Sequence, residues 1–251
     1  MSLRWMMLPL ALLLGACGNQ GEYPGVDGVA YYPPAGEARG VVVYLPGTGA
    51  GLNDQLGRDL LTTLGDRGYL GLILSYPSDW YEGITCFAIR RKADDIFGPE
   101  GPLAQVYASG LPIVAVGFSQ GSWIAHQAGE AVDAAVLFSS GVQIGPLQLR
   151  CNSAAATEVE RVLAVSGESD RIYLGDMTNQ LGAVTGVDCP GARQCWSGDS
   201  GWVLALDSEV GDGNADHMFY RLDGRIDRQW LEGDGPWAKR AVIAWIERQM
   251  R

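Results

Sequence analysis

Four short runs in this chain, Val41-Val42-Val43, Leu72-Ile73-Leu74, Ile113-Val114-Ala115-Val116 and Ala135-Val136-Leu137, are apolar at every position. A strand with one wet face alternates apolar and polar residues, so unbroken runs rich in β-branched residues belong to a parallel sheet covered on both faces. They fall within strand candidates at Val29–Tyr32, Val41–Leu45, Leu70–Ser75, Ile113–Phe118, Ala134–Phe138, Arg161–Ser166 and Trp202–Asp207. Between them lie helical stretches near Asp54–Arg67, Phe87–Ser109, Gln120–Val132, Leu174–Val184 and Pro236–Gln249, the last with Pro236 placed to open a helix. Alternating β and α units of this kind predict a single doubly wound α/β domain with a mostly parallel central sheet over residues 26–251, its site at the carboxyl edge of the strands.

Composition narrows the function classes. With 47% hydrophobic and 19% charged residues the chain can bury a core, which excludes intrinsic disorder. A net charge of −11 repels phosphate backbones, so nucleic acid is not an expected partner. Glycine, 35 of 251 residues, is about twice as frequent as usual and follows no period, so collagen is excluded and tight turns are expected.

One strand candidate runs directly into Gly117-Phe118-Ser119-Gln120-Gly121 and then into Ser122-Trp123-Ile124-Ala125-His126, which reads as a helix start. A serine turned outward between strand and helix needs a strained backbone, and small neighbours avoid the resulting clashes. The helix N-terminus beneath it favours developing negative charge. Only two histidines exist to serve such a serine. His126 lies seven positions along the same helix, about 10 Å away, and points away from it. His217 remains, in the loop Asp212–Phe219 between the last strand candidate and the C-terminal helix.

With this pattern the sequence resembles the α/β-hydrolase superfamily over nearly all of residues 26–251; Gly-Phe-Ser-Gln-Gly is a form common in its carboxylesterases and dienelactone-hydrolase-like members. The resemblance implies Ser119 as nucleophile, followed in chain order by an acid and then by His217 as base. The family's acid usually sits in a Gly-x-x-Asp turn, which selects Asp170 in Gly167-Glu168-Ser169-Asp170; Glu168, Asp207, Asp212 and Asp216 remain alternatives. It also implies an oxyanion hole from the backbone amides of Gln120 and Thr48, although Pro46-Gly47 replaces the His-Gly frequent there. The function implied is a serine hydrolase of carboxylic esters, acting on a small-molecule substrate through an acyl-enzyme on Ser119, without cofactor or metal and as a monomer. The same triad serves peptidases and lactonases, and a retained fold without catalysis would leave an envelope binding lipoprotein.

The N-terminus reads as an export signal. Arg4 supplies the positive end and Trp5–Leu14 an apolar stretch too short to span a bilayer. Leu14-Gly15-Ala16-Cys17 resembles a bacterial lipobox, which implies removal of residues 1–16, acylation of Cys17, a tether over 17–25 and a membrane partner. The protein is then expected in the bacterial envelope, periplasm-facing or at the outer membrane; Gly18, in place of an inner-membrane-retaining Asp, points to the outer one. In that oxidising compartment Cys86, Cys151, Cys189 and Cys195 are disulfide candidates. Four cysteines allow three connectivities; a bridge between Cys189 and Cys195, which bracket the turn-rich Pro-Gly-Ala-Arg-Gln, would leave Cys86 with Cys151, whereas a metal site lacks the usual spacing and histidine partners. Loop Tyr76–Tyr81 is expected at the catalytic edge, and Arg90-Arg91-Lys92 on a solvated helix face rather than receiving an acidic substrate. Asp188–Trp202 reads either as a stapled cap near the pocket or, equally, as a loop in which Trp202 just begins the last strand.

Overall fold

All four unbroken apolar runs are strands in the computed structural model, which describes residues 26–78 and 85–251. The expected signal segment, Cys17, the tether and Asp79-Trp80-Tyr81 lie outside the described residues. The central sheet holds β1 (Gly28–Tyr32), β2 (Val41–Leu45), β3 (Leu70–Ser75), β4 (Ile113–Phe118), β5 (Ala134–Phe138), β6 (Val162–Gly167), β7 (Gln194–Ser197) and β8 (Ser200–Ala205). Their order across the sheet is β1-β3-β2-β4-β5-β6-β8-β7. The strands from β3 to β8 in that order are parallel; β1 runs antiparallel to β3 and β7 antiparallel to β8.

Side chains along a strand point alternately to the two faces, and each face has its own apolar layer. Val41, Val43, Leu45, Ile113 and Ala115 pack on one side, against helices α2 (Cys86–Phe97), α4 (Gln120–His126) and α5 (Met177–Thr185). Val42, Tyr44, Val114 and Val116 pack on the other, against α1 (Gln55–Asp66) and α7 (Lys239–Gln249). Two short helices, α3 (Ala104–Ser109) and α6 (Arg228–Glu232), complete the set of α-helices among the described residues. Single-faced strands could not support layers on both sides, so the unbroken runs of β2, β4 and β5 are what this architecture requires.

Several boundaries differ from the sequence expectation for identifiable reasons. The helix expected over Phe87–Ser109 is two, α2 and α3, because Gly98-Pro99 ends the first; proline disfavours helical backbone at the residue before it. The helix after Ser119 stops at His126, and Gly129 turns the chain through a left-handed φ of 58°. Helix α5 starts at Met177, where the Asp176 side chain accepts from the Thr178 amide at 2.7 Å. Pro236 precedes α7 in a turn closed by the Ala238 amide on the Gly235 carbonyl, 3.0 Å, instead of opening the helix. Strand β7 was not expected: Gln-Cys-Trp-Ser carries no periodic apolar signal, and its place comes from pairing with β8.

Of the three connectivities open to the four cysteines, the structure has Cys86 with Cys151 and Cys189 with Cys195. Cys86–Cys151 ties the first turn of α2 to the segment after β5, with Cα atoms 5.6 Å apart. Cys189–Cys195 closes the local loop before β8, with Cα atoms 5.8 Å apart.

Candidate active site

Strand β4 delivers Ser119 at its carboxyl end, and α4 begins one residue later. Ser119 adopts φ 51° and ψ −118°, a left-handed backbone that non-glycine residues rarely occupy. The turn is tight enough that a Cβ on Gly117 would overlap the Gly121 carbonyl, and a Cβ on Gly121 the Leu45 carbonyl. This crowding is why both flanking positions are glycine. The Ser119 amide donates to the Phe138 carbonyl at 2.9 Å, anchoring the turn to the neighbouring strand.

His217 arrives from the loop after β8. Its Nε2 lies 2.9 Å from Ser119 Oγ and its Nδ1 2.8 Å from Asp170 Oδ2. A carboxylate cannot donate, so Nδ1 carries the proton toward Asp170 and Nε2 accepts from the serine hydroxyl. Asp170 stands in the turn after β6 with its side chain fully buried, and its second oxygen accepts from the Ile172 amide at 3.0 Å. The arrangement can move the Ser119 proton to His217 while a buried negative charge faces the far side of the ring.

The alternative acids are occupied elsewhere. Glu168 accepts from the Asp207 amide at 3.0 Å. Asp207 accepts from the Ala215 amide at 2.8 Å and from Ser169 Oγ at 2.9 Å, so it shapes the loop that carries His217. Asp212 and Asp216 accept from the amides of Asn214 and Met218, two residues on, as turn-forming aspartates do.

His126 is no part of the site. It is buried, its Nδ1 donating to Asn152 Oδ1 and its Nε2 accepting from Thr157 Oγ1, each at 3.0 Å. Burial pulls its pKa down to about 4, so the ring is neutral.

The loop after β2 lies against the serine turn, with Gly47 facing Phe118 and Ser119 so closely that a Cβ would press on both. Thr48 Oγ1 donates to Gln120 Oε1 at 3.3 Å, so the two residues expected to supply oxyanion amides are neighbours. The Gln120 amide opens α4, where the first N–H groups have no partner within the helix. The Tyr76 hydroxyl donates to the Pro46 carbonyl, and the Gly49 amide to Ser78 Oγ at 3.0 Å, which ties this loop to the one after β3.

Two residues of the site escaped sequence reasoning. Ser139, one past the end of β5, also has a left-handed φ, 48°; its Oγ donates to the His217 carbonyl at 2.7 Å. Its own carbonyl accepts from the Tyr173 hydroxyl at 2.7 Å, and the Tyr173 ring lies 6.1 Å from the imidazole. Burial, with the Asp170 charge adding to it, pushes the Tyr173 hydroxyl well above its ordinary pKa and keeps it a donor. The available signal was position: Ser139 follows its strand directly, as Ser119 does.

Arg90 and Arg91 are exposed on α2, while Lys92 Nζ lies over the Tyr76 ring, 5.6 Å from its centre. Within Asp188–Trp202, Trp202 is core, its indole N–H donating to the Val187 carbonyl at 2.7 Å, whereas Trp196 is exposed on β7. A cleft of about 390 Å³, lined by Glu168, Asp176, Met177, Thr178, Arg193 and Leu204, separates the stapled loop from α5.

No family model and no curated protein sequence matches the chain. By structure it is similar to an α/β serine hydrolase homologue from Coxiella burnetii, at 16% identity and a TM-score of 0.53, covering 76% of this chain and 83% of the other. It is similar to an acetyl xylan esterase from Aspergillus awamori, at 16% identity and a TM-score of 0.53, covering 75% and 90%. It is also similar to a thermophilic esterase from Thermogutta terrifontis, at 15% identity and a TM-score of 0.52, covering 90% and 92%. These likenesses are of fold: the chain has the α/β-hydrolase fold.

Proposed function

We propose that the protein is a serine hydrolase that cleaves carboxylic esters through an acyl-enzyme on Ser119. The observation that carries this reading is the Ser119–His217–Asp170 relay, at 2.9 and 2.8 Å, mounted on a strained turn. Ser119 Oγ attacks the acyl carbon as its proton passes to His217 Nε2, and Asp170 stabilises the resulting imidazolium. The amides of Gln120 and Thr48 receive the oxyanion, each donor contributing about 3 kcal/mol to the transition state. His217 returns the proton to the departing alkoxide, and the alcohol leaves. Water, deprotonated by His217, then attacks the acyl-enzyme, the serine recovers its proton, and a carboxylic acid is released.

The Thermogutta terrifontis esterase holds butyrate in one structure and is phosphorylated by paraoxon in another, which supports short acyl esters and organophosphorus probes as first reagents here. The test is labelling of the folded domain by a fluorophosphonate, with Ser119→Ala and His217→Ala alongside. Labelling of the wild type alone is expected; a folded wild type that stays unlabelled refutes catalysis and leaves a binding protein.

The reading includes export and anchoring through an acylated Cys17, supported by the lipobox-like Leu14-Gly15-Ala16-Cys17 and by two disulfides, which persist in oxidising compartments. Cys17→Ser is expected to release the protein from membranes; unchanged attachment refutes the anchor.

A further inference from the structure

The first described residues join the sheet at the same edge as the candidate site. Strand β1 runs antiparallel to β3, so its beginning, Gly28, pairs with Ser75 at the carboxyl end of β3. The Asp27 amide donates to the Ser75 carbonyl at 2.7 Å, and Gly28 abuts Leu52, in the loop that also carries Thr48. Three strand spacings separate β1 from β4, placing this junction about 14 Å across the sheet from the strand that ends in Ser119.

The same edge carries an apolar rim. Phe87 is 75% exposed, Leu174 47%, Leu147 44% and Ile172 37%. They come from three connected segments: the Leu174 amide donates to the Gln143 carbonyl at 3.0 Å, and Cys86–Cys151 joins Phe87's helix to the turn at 150–152 that follows the 143–148 hairpin. Large apolar side chains clustered beside a site mark an interaction surface more often than scattered single ones do.

We propose that this catalytic edge is the membrane-facing surface of the protein, with Phe87, Leu147, Ile172 and Leu174 seated in the bilayer interface so that esters resident in the lipid reach Ser119. The inference rests on the anchored-hydrolase reading above. Nine residue steps separate Cys17 from Val26, about 30 Å fully stretched and about 16 Å as a flexible coil. A domain of this size is about 45 Å across, so bringing its opposite edge to the bilayer demands a path of about 70 Å around the surface. The tether is too short for that. A net charge of −11 disfavours electrostatic docking on anionic lipid, which leaves the apolar rim to make the contact.

The test uses the mature protein, residues 17–251 acylated at Cys17, on phosphatidylcholine vesicles, with the Cys17→Ser form in solution as reference. Hydrogen exchange is expected to slow on vesicles at 143–148 and 171–175 and to be unchanged at 129–133 and 157–161, on the opposite edge. Phe87→Asp and Leu174→Asp are expected to leave turnover of a water-soluble acetate ester unchanged and to lower hydrolysis of a vesicle-embedded fluorogenic ester about tenfold, since burying such a side chain in lipid contributes at least that factor. Protection at the opposite edge, or equal effects on both esters, overturns the orientation while the catalytic and anchor readings stand. Loss of soluble-ester turnover in the wild type, or membrane attachment of Cys17→Ser, instead removes the reading beneath it and the orientation with it.

Discussion

Replacing Ser139 with alanine and, separately, with glycine tests whether its hydroxyl positions His217. Both substitutions remove the 2.7 Å hydrogen bond to the His217 carbonyl, an interaction worth about 1 kcal/mol. They differ in backbone strain. At φ 48° a residue with a Cβ carries about 1–2 kcal/mol of strain, which alanine retains and glycine relieves. Glycine gives back about 0.4–1 kcal/mol of this through its freer unfolded chain. Ser139→Ala should therefore be less stable than wild type by about 1 kcal/mol, and Ser139→Gly within about 0.5 kcal/mol of it. If the hydroxyl holds His217 in register, both variants lose about fivefold in kcat, since about 1 kcal/mol of lost alignment is a factor of about five. Urea unfolding and steady-state hydrolysis of p-nitrophenyl acetate measure the two quantities separately. A glycine variant with wild-type kcat, or activity that tracks stability across the pair, refutes the positioning role.

Other expectations follow from the same contacts. His126 has a folded pKa near 4 against about 6.5 unfolded, so the unfolded chain binds the extra proton between those values. Its contribution is present in full above pH 6.5 and is lost as pH falls toward 4, about 3 kcal/mol in all; urea midpoints of wild type and His126→Gln should converge across that window, and parallel curves would contradict it. Opening Cys86–Cys151, which closes a 65-residue separation, should cost about 4 kcal/mol and opening Cys189–Cys195, with a separation of 6, about 2 kcal/mol, as thermal unfolding of the two double-serine variants would reveal. Asp170→Asn should lower kcat by about 10⁴-fold with the fold intact, because the amide no longer enforces the correct imidazole tautomer. Glu168→Gln should leave kcat within about threefold, because only its bond to the Asp207 amide changes; steady-state kinetics of the pair decide between the two acids.

How far the sequence could be read depended on how local each cause is. The serine turn was legible because its requirements, an apolar strand, two small flanking residues and a helix start, lie within nine consecutive positions, 113–121. His217 could be chosen because only one other histidine exists, and that one is confined to the turn's own helix. Asp170 was one acid among several: Glu168 and Asp207 are close by in sequence, and hydrogen bonds from distant segments separate their roles. Helix ends were misplaced where a glycine, a proline or a capping aspartate overrode apolar spacing, as at Gly98, Pro236 and Asp176.

The sequence by itself determined the parallel sheet, through strands with no polar face, and the strained serine turn, through local sterics. Only the tertiary structure decided which carboxylate meets the imidazole, that Ser139 and Tyr173 brace the His217 segment, and that β1 enters the sheet on the edge that carries the candidate site. Those outcomes depend on strand order, β1-β3-β2-β4-β5-β6-β8, which brings residues 98 positions apart, Ser119 and His217, to 2.9 Å. Strand order is set by the packing of whole layers, and no local stretch of sequence carries it.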